Sequence, residues 1–180
     1  MITHQKVIEF WFNEISPQKW FEIDPKVDKE IVARFKDIHT QACRGELNDW
    51  RRSIQGRLAE IIILDQFSRH IHRDQPEAYH QDLAALILAQ MALKTNEDID
   101  LPAMKKAFLY MPFMHSESVL MQRKSIELYS QEGLERNLES ALEHKRVIDQ
   151  FNRFPYRNKA LRRRSTPEEI EFMSVNRELK

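Results

Sequence analysis

The sequence predicts an all-α fold of about nine helices in a single domain spanning residues 1–180. Three observations predict it. Apolar residues recur at steps of three and four along most of the chain, the period of an amphipathic helix. Glycine is scarce, at Gly45, Gly56 and Gly133 only, and no Asn-Gly or Asp-Gly pair offers a hairpin turn. Proline and capping residues punctuate the apolar segments at short intervals.

Each element follows from this spacing. Val7, Ile8, Trp11 and Phe12 share one side of a first helix, and Ser16-Pro17 opens a turn carrying Trp20 and Phe21. Asp24 caps the next helix, Pro25 suits its first position, and Val27, Ile31, Phe35, Ile38 and Ala42 form its apolar face up to Gly45. Ser53 caps a helix with Ile54, Leu58, Ile61, Ile62 and Asp65 along one stripe. The run "IIIL" has the composition of a buried strand, but its neighbours "GRLAE" and "DQF" keep the helical period. Pro76 starts a helix holding Ala84, Ile87, Leu88 and Met91, and Pro102 starts another that ends near Met111-Pro112. Ser116 caps a helix through Leu120, Ile126 and Tyr129 to Gly133. Leu138, Leu142, Ile148 and Phe151 mark a helix from Glu135 to Phe151. Thr166, Pro167 and Glu169 write a capping box for the last one.

Composition excludes several function classes. Lys plus Arg equals Asp plus Glu, 28 against 28, so there is no general attraction to nucleic acid or membrane. No glycine-rich phosphate loop occurs, which argues against a conventional nucleotide-binding fold. The one cysteine, Cys43, allows no intrachain disulfide and fits a reducing compartment. The opening "MITHQKVIEFWFNE" lacks the features of a signal peptide, and the longest nearly apolar run, Leu83 to Leu93, is too short to span a bilayer. The expectation is a soluble, cytoplasmic protein.

One polar phrase is written twice. "LDQFSRHIHRD" (Leu64 to Asp74) and "IDQFNRFPYRN" (Ile148 to Asn158) share Asp65/Asp149, Gln66/Gln150, Phe67/Phe151, Arg69/Arg153 and Arg73/Arg157. Pro155 disfavours helical geometry at Phe154, so both helices are expected to end near Arg69 and Arg153. Asp65 and Arg69 are four apart, as are Asp149 and Arg153, and each pair can bond on one helix face. Asp65 continues an apolar stripe and is expected to be partly buried. Two readings stand. The phrase is a repeated helix-end salt bridge, or Arg69, Arg73, Arg153 and Arg157 face one groove and hold an anion.

With "LDQFSRHIHRD", "AFLYMPFMHSESVLMQRKSIELY", "FNRFPYRN" and "STPEEIEF" in order, the chain resembles the bacterial family called domain of unknown function 924. The resemblance implies an all-helical, tetratricopeptide-like superhelix of packed antiparallel helix pairs, and it implies no activity. The family commonly writes Pro and Asn where Ser68 and His70 stand, and often an acid at Met114 and a His at Tyr156.

Local chemistry gives further candidates. "HSES", His115 to Ser118, sets a histidine, an acid and two hydroxyls at a helix start; alternatively Ser116 is a cap and Glu117 complements the helix dipole. His70, His72 and His80 lack the spacing of a zinc motif and read as surface or turn histidines, with no metal expected. Cys43 reads as a buried apolar side chain. The run from Arg153 to Arg164 holds six cations and no acid, but Glu168, Glu169 and Glu171 follow, so a solvated face is expected and no nucleic acid. The sequence thus favours a binding module for an anionic small molecule or acidic peptide. The alternatives are a small hydrolase or transferase using His115 with Glu117 or Asp65, and a structural or homo-oligomeric protein. No cofactor is implied.

Overall fold

The computed structural model describes residues 2–175. They form eight helical rods and, among the described residues, no strand. Helix α1 covers residues 4–14, its second half, Phe10–Glu14, wound as a π turn. Helix α2 is Pro25–Cys43. Helix α3 covers residues 54–71, with a π segment at Ile62–Phe67 between regular turns. Then follow α4 (Asp82–Lys94), α5 (Ala103–Met114), α6 (Val119–Tyr129), α7 (Glu135–Phe151) and α8 (Pro167–Val175). Single 3-10 turns at Pro17–Trp20, Asn48–Arg52, Pro76–Ala78 and Pro155–Arg157 join them.

Local chemistry explains most boundaries. Asp24 accepts from the Lys26 N–H at 2.8 Å, and Ser53 from the Gly56 N–H at 3.1 Å, each satisfying a donor left over at a helix start. Thr166 and Glu169 form the reciprocal capping box. Asn152 ends α7 in the left-handed region, and Gly45, at φ 72°, follows the end of α2.

Three boundaries differ from the sequence reading. Pro76 starts only a short 3-10 turn, and α4 opens at Asp82. The buried face of α4 is Ala85, Leu86, Leu88, Ala89 and Ala92, while Ile87 and Met91 face solvent; a helix apolar all round leaves its inner face undecided. Helix α5 continues two residues past Pro112, because the buried Gln122 amide donates to the carbonyls of Met114 and Ser116, both at 2.7 Å, and holds the turn beyond it. Ser118, not Ser116, caps α6 by accepting from Met121.

Helices adjacent in sequence pack on one another from α3 to α7, and α1 and α2 lie on α3. The centre of α3, residues 58–68, is buried throughout, so the "IIIL" run is a buried helix. Phe10, Phe35 and Phe67 meet with ring centres 4.8–6.1 Å apart, and Trp20 donates from Nε1 to the Trp11 carbonyl at 2.8 Å. Trp11 and Trp20 are buried in this core, Phe12 and Trp50 are partly buried against it, and Phe21 is exposed. A second apolar cluster, Val147, Ile148 and Phe154, seats the chain after α7 against Phe172 of α8.

Gly56 marks a close approach. A Cβ built there would stand 2.0 Å from the Trp50 carbonyl oxygen. Alanine would gain about 1 kcal/mol of helix propensity, but a collision with backbone costs more. Gly56→Ala is expected to lower stability by about 2 kcal/mol, as overpacked cores do. A urea midpoint raised by the substitution would contradict this contact.

Candidate functional site

The two copies of the repeated phrase have different environments. In the first, Asp65, Gln66 and Phe67 are buried within the π segment of α3; in the second, Asp149 and Gln150 are exposed on α7. The extra residue per turn in a π segment shifts which side chains face inward, and such segments recur at functional sites. Here it turns Asp65 into the interior at 1% exposure.

Asp65 is fully engaged. Its carboxylate receives the Gln66 amide, the Arg69 guanidinium at 3.2 Å, and His115 Nδ1 at 2.8 and 3.0 Å. Burial alone would raise the Asp65 carboxyl, but the Arg69 charge, with the hydrogen bonds from His115 and Gln66, outweighs it and holds the group well below the usual carboxylate range. A carboxylate only accepts, so His115 donates from Nδ1 and its neutral ring presents Nε2 as a bare lone pair. Nε2 has no partner among the described residues, and it is not among the buried atoms sealed without one. Burial, with Arg69 assisting, pushes the His115 ring below the ordinary 6.5, against the pull of Asp65. It is therefore neutral at physiological pH.

A second carboxylate completes the cluster. Asp82, the first residue of α4, accepts from Arg69 at 2.9 and 3.1 Å and from Arg157 at 3.1 Å. Arg157 is 4% exposed, donates to the His115 carbonyl at 3.0 Å, and lies between the Tyr79 and Phe154 rings at 4.7 and 4.5 Å. Its Nε is buried with no acceptor. His144 of α7 approaches from the other side, its ring centre 6.3 Å from that of His115 and 5.4 Å from that of Phe154. Five segments distant in sequence thus meet at one polar cluster: α3, the start of α4, the turn after α5, α7, and the Pro155–Arg157 turn.

The structure brings together Asp65, Arg69, His115 and Arg157 from the sequence candidates. It places the others elsewhere. Arg73 makes a two-pronged bond to Asp28, which also holds His70 at 2.7 Å. Arg153 bonds Glu169 at 2.6 and 2.8 Å and the Arg164 carbonyl, while Asp149 bonds Lys145; the expected Asp149–Arg153 pair does not form, because α7 ends at Phe151 and the chain turns away at Asn152. Of the four arginines, Arg69 and Arg157 meet on one acceptor, Asp82, while Arg73 and Arg153 bond other carboxylates. Glu117 accepts from Arg163 at 2.7 and 2.9 Å and from the Phe154 N–H at 2.8 Å, so it anchors the turn after α7 and makes no bond to His115. Ser116 accepts from the Ser118 N–H.

The remaining candidates also have structural neighbours. Cys43 is half-buried against His39, with its thiol pushed up by burial. The His72 ring lies tilted beside that of His39, with centres 5.5 Å apart. Among the described residues no group of three or more His, Cys, Asp or Glu is placed to hold a metal. No helix among them is long and apolar enough to cross a membrane.

Asp82, Tyr79, Gln122 and His144 were not singled out from the sequence. Asp82 had one signal: it is the lone acid directly ahead of the longest apolar run. His144 and Gln122 sit at ordinary positions of amphipathic helices and carry none.

Fold and site together define an all-helical protein with a buried acid–base cluster between its helices. The model of a bacterial protein family of unknown function, DUF924, matches residues 7–176, and the chain belongs to that family. A solved structure of a protein of unknown function from Agrobacterium tumefaciens, ATU0120, superposes with a TM-score of 0.90 at 32% identity, covering 96% of this chain and 97% of that one. No curated protein matches the chain.

Proposed function

We propose that the protein is a small-molecule hydrolase or transferase in which His115 is the general base and Asp65 orients it. One observation carries this reading: the buried Asp65 carboxylate holds Nδ1 of the His115 ring, whose Nε2 has no partner among the described residues. The same division of labour activates nucleophiles in acid–base enzymes of many folds. Nε2 would take the proton of a water or alcohol as its oxygen attacks an electrophilic carbon or phosphorus. Asp65 would stabilise the imidazolium, which then returns the proton to the leaving group.

The anion-binding module that the sequence favoured has less support. Arg73 and Arg153 are occupied elsewhere, and Asp65 and Asp82 together already neutralise the Arg69–Arg157 pair. A structural reading has one observation in its favour, the same Asp82 bridge, which ties α3, α4 and the 155–157 turn together.

The test is turnover of activated carboxyl and phosphate esters by the wild type and His115→Gln. Loss of a general base is expected to lower the rate by about 10²–10⁴-fold, with an unchanged circular dichroism spectrum. No turnover by the wild type, or equal turnover by the variant, would contradict the reading.

A further inference from the structure

His115 is fixed by side chains at both its backbone and its ring. Three successive carbonyls are bonded: Gln122 donates to those of Met114 and Ser116, both at 2.7 Å, and Arg157 to that of His115 at 3.0 Å. At the ring end, Asp65 accepts from Nδ1. The two ends share one anchor. Asp82 accepts from both nitrogens of the Arg69 fork at 2.9 and 3.1 Å, and Arg69 in turn lies 3.2 Å from the Asp65 carboxylate. The same Asp82 carboxylate accepts from Arg157 at 3.1 Å. One guanidinium therefore leads from Asp82 to the partner of the His115 ring, and the other leads to the His115 backbone.

An acid at a helix start complements the dipole without any such bonds. Asp82 is different: its side chain is 18% exposed and its oxygens are taken up by two arginines. Its charge matters as well as its bonds. Asp65 and Asp82 balance Arg69 and Arg157, so the cluster is neutral while the His115 ring is neutral. Without Asp82, one carboxylate would stand against two guanidiniums, and the imidazolium that a general base must form would be opposed. Burial pushes the His115 ring down, with Arg69 assisting, while Asp65 and, behind it, Asp82 pull it up. His144 is the remaining titratable group beside the ring; burial holds it down at about 4, so it adds no charge at neutral pH.

We propose that Asp82 is the positioning residue of this site: through Arg69 it fixes Asp65, through Arg157 it fixes the His115 backbone, and its charge offsets one of the two guanidiniums of the cluster. This rests on the acid–base reading of His115 and adds the residue that holds its base in place.

The test observes the His115 ring nitrogens by ¹H–¹⁵N correlation across a pH series in the wild type, Asp82→Asn and Asp82→Glu. It is paired with kcat and KM for p-nitrophenyl acetate. In Asp82→Asn the His115 ring is expected to titrate at lower pH than in the wild type, with its Nδ1 proton resonance displaced. Asp82→Glu keeps the charge and is expected to return the titration toward the wild type. The kcat of Asp82→Asn is expected to fall about ten- to a hundredfold with KM little changed, the signature of a misplaced base. Should Asp82→Asn not fold, Asp82→Ser, a residue suited to a helix start, carries the same expectations. A variant that loses stability but keeps the wild-type His115 titration would make Asp82 a tie between helices only, and would overturn the proposal. So would an unchanged kcat where the wild type is active, or failure of both uncharged variants to fold. If the wild type turns over no ester, the acid–base reading fails by itself, and the ring titration still decides whether Asp82 governs His115.

Discussion

Asp65→Ala is expected to destabilise the protein by about 3–5 kcal/mol, whereas Asp149→Ala changes stability by about 0.5 kcal/mol or less. The two aspartates occupy the same place in the repeated phrase, yet their surroundings differ. Asp65 is 1% exposed and is the shared acceptor for Arg69, His115 and Gln66, so its removal leaves a buried cation and two polar groups with fewer partners. Asp149 is 45% exposed and faces Lys145 one turn away, a surface pair of small value. Asp65→Asn keeps the volume but removes the charge, and should recover only part of the loss. Equilibrium urea unfolding of the variants decides this. Equal midpoints for the two alanine variants would mean that the phrase has one role in both places.

Acidification is expected to weaken the fold well before its carboxylates titrate. Burial, aided by His72, pushes the His39 ring down to about 4, and burial, aided by His115, does the same to His144. Between about 4 and the ordinary 6.5 the unfolded chain binds protons at these positions that the folded chain refuses. The slope of stability with pH is therefore positive: the contribution is complete above 6.5 and is lost as pH falls toward 4. Each group contributes at most about 3 kcal/mol over that window. Below it, protonation of Asp65, Asp28 and Glu117, all held below the usual carboxylate range, removes more. Urea unfolding at about pH 7 and about pH 4.5 measures the first part. Equal stability at the two would show that these histidines are not buried as neutral rings.

Local signals predicted the fold well. Asp24, Ser53 and the Thr166–Glu169 box act within three residues, so the sequence alone displays both partners. The helical period of α2 is equally local. Pairings across distance were harder to read. Asp65 lies 50 residues from His115, and Asp82 lies 75 from Arg157; no spacing rule connects them. The repeated phrase located Asp65, Arg69 and Arg157 but suggested a symmetric set, because identical letters say nothing about which copy is buried. The π segment at Ile62–Phe67 turns the first copy inward, and it has no sequence signature of its own. Asp82 was not singled out, because the helix was expected to start at Pro76, and only the packed structure shows it bridging two guanidiniums.

The most direct test of the central claim is the protonation state of the His115 ring at neutral pH, read from its two ring nitrogens in a long-range ¹H–¹⁵N correlation spectrum. The expected result is a neutral ring with the proton on Nδ1 and a bare Nε2, titrating below the ordinary 6.5, with the Nδ1 proton perturbed in Asp65→Asn. A ring protonated on Nε2 instead, or an imidazolium at pH 7, would contradict the assignment of His115 as the base of this site.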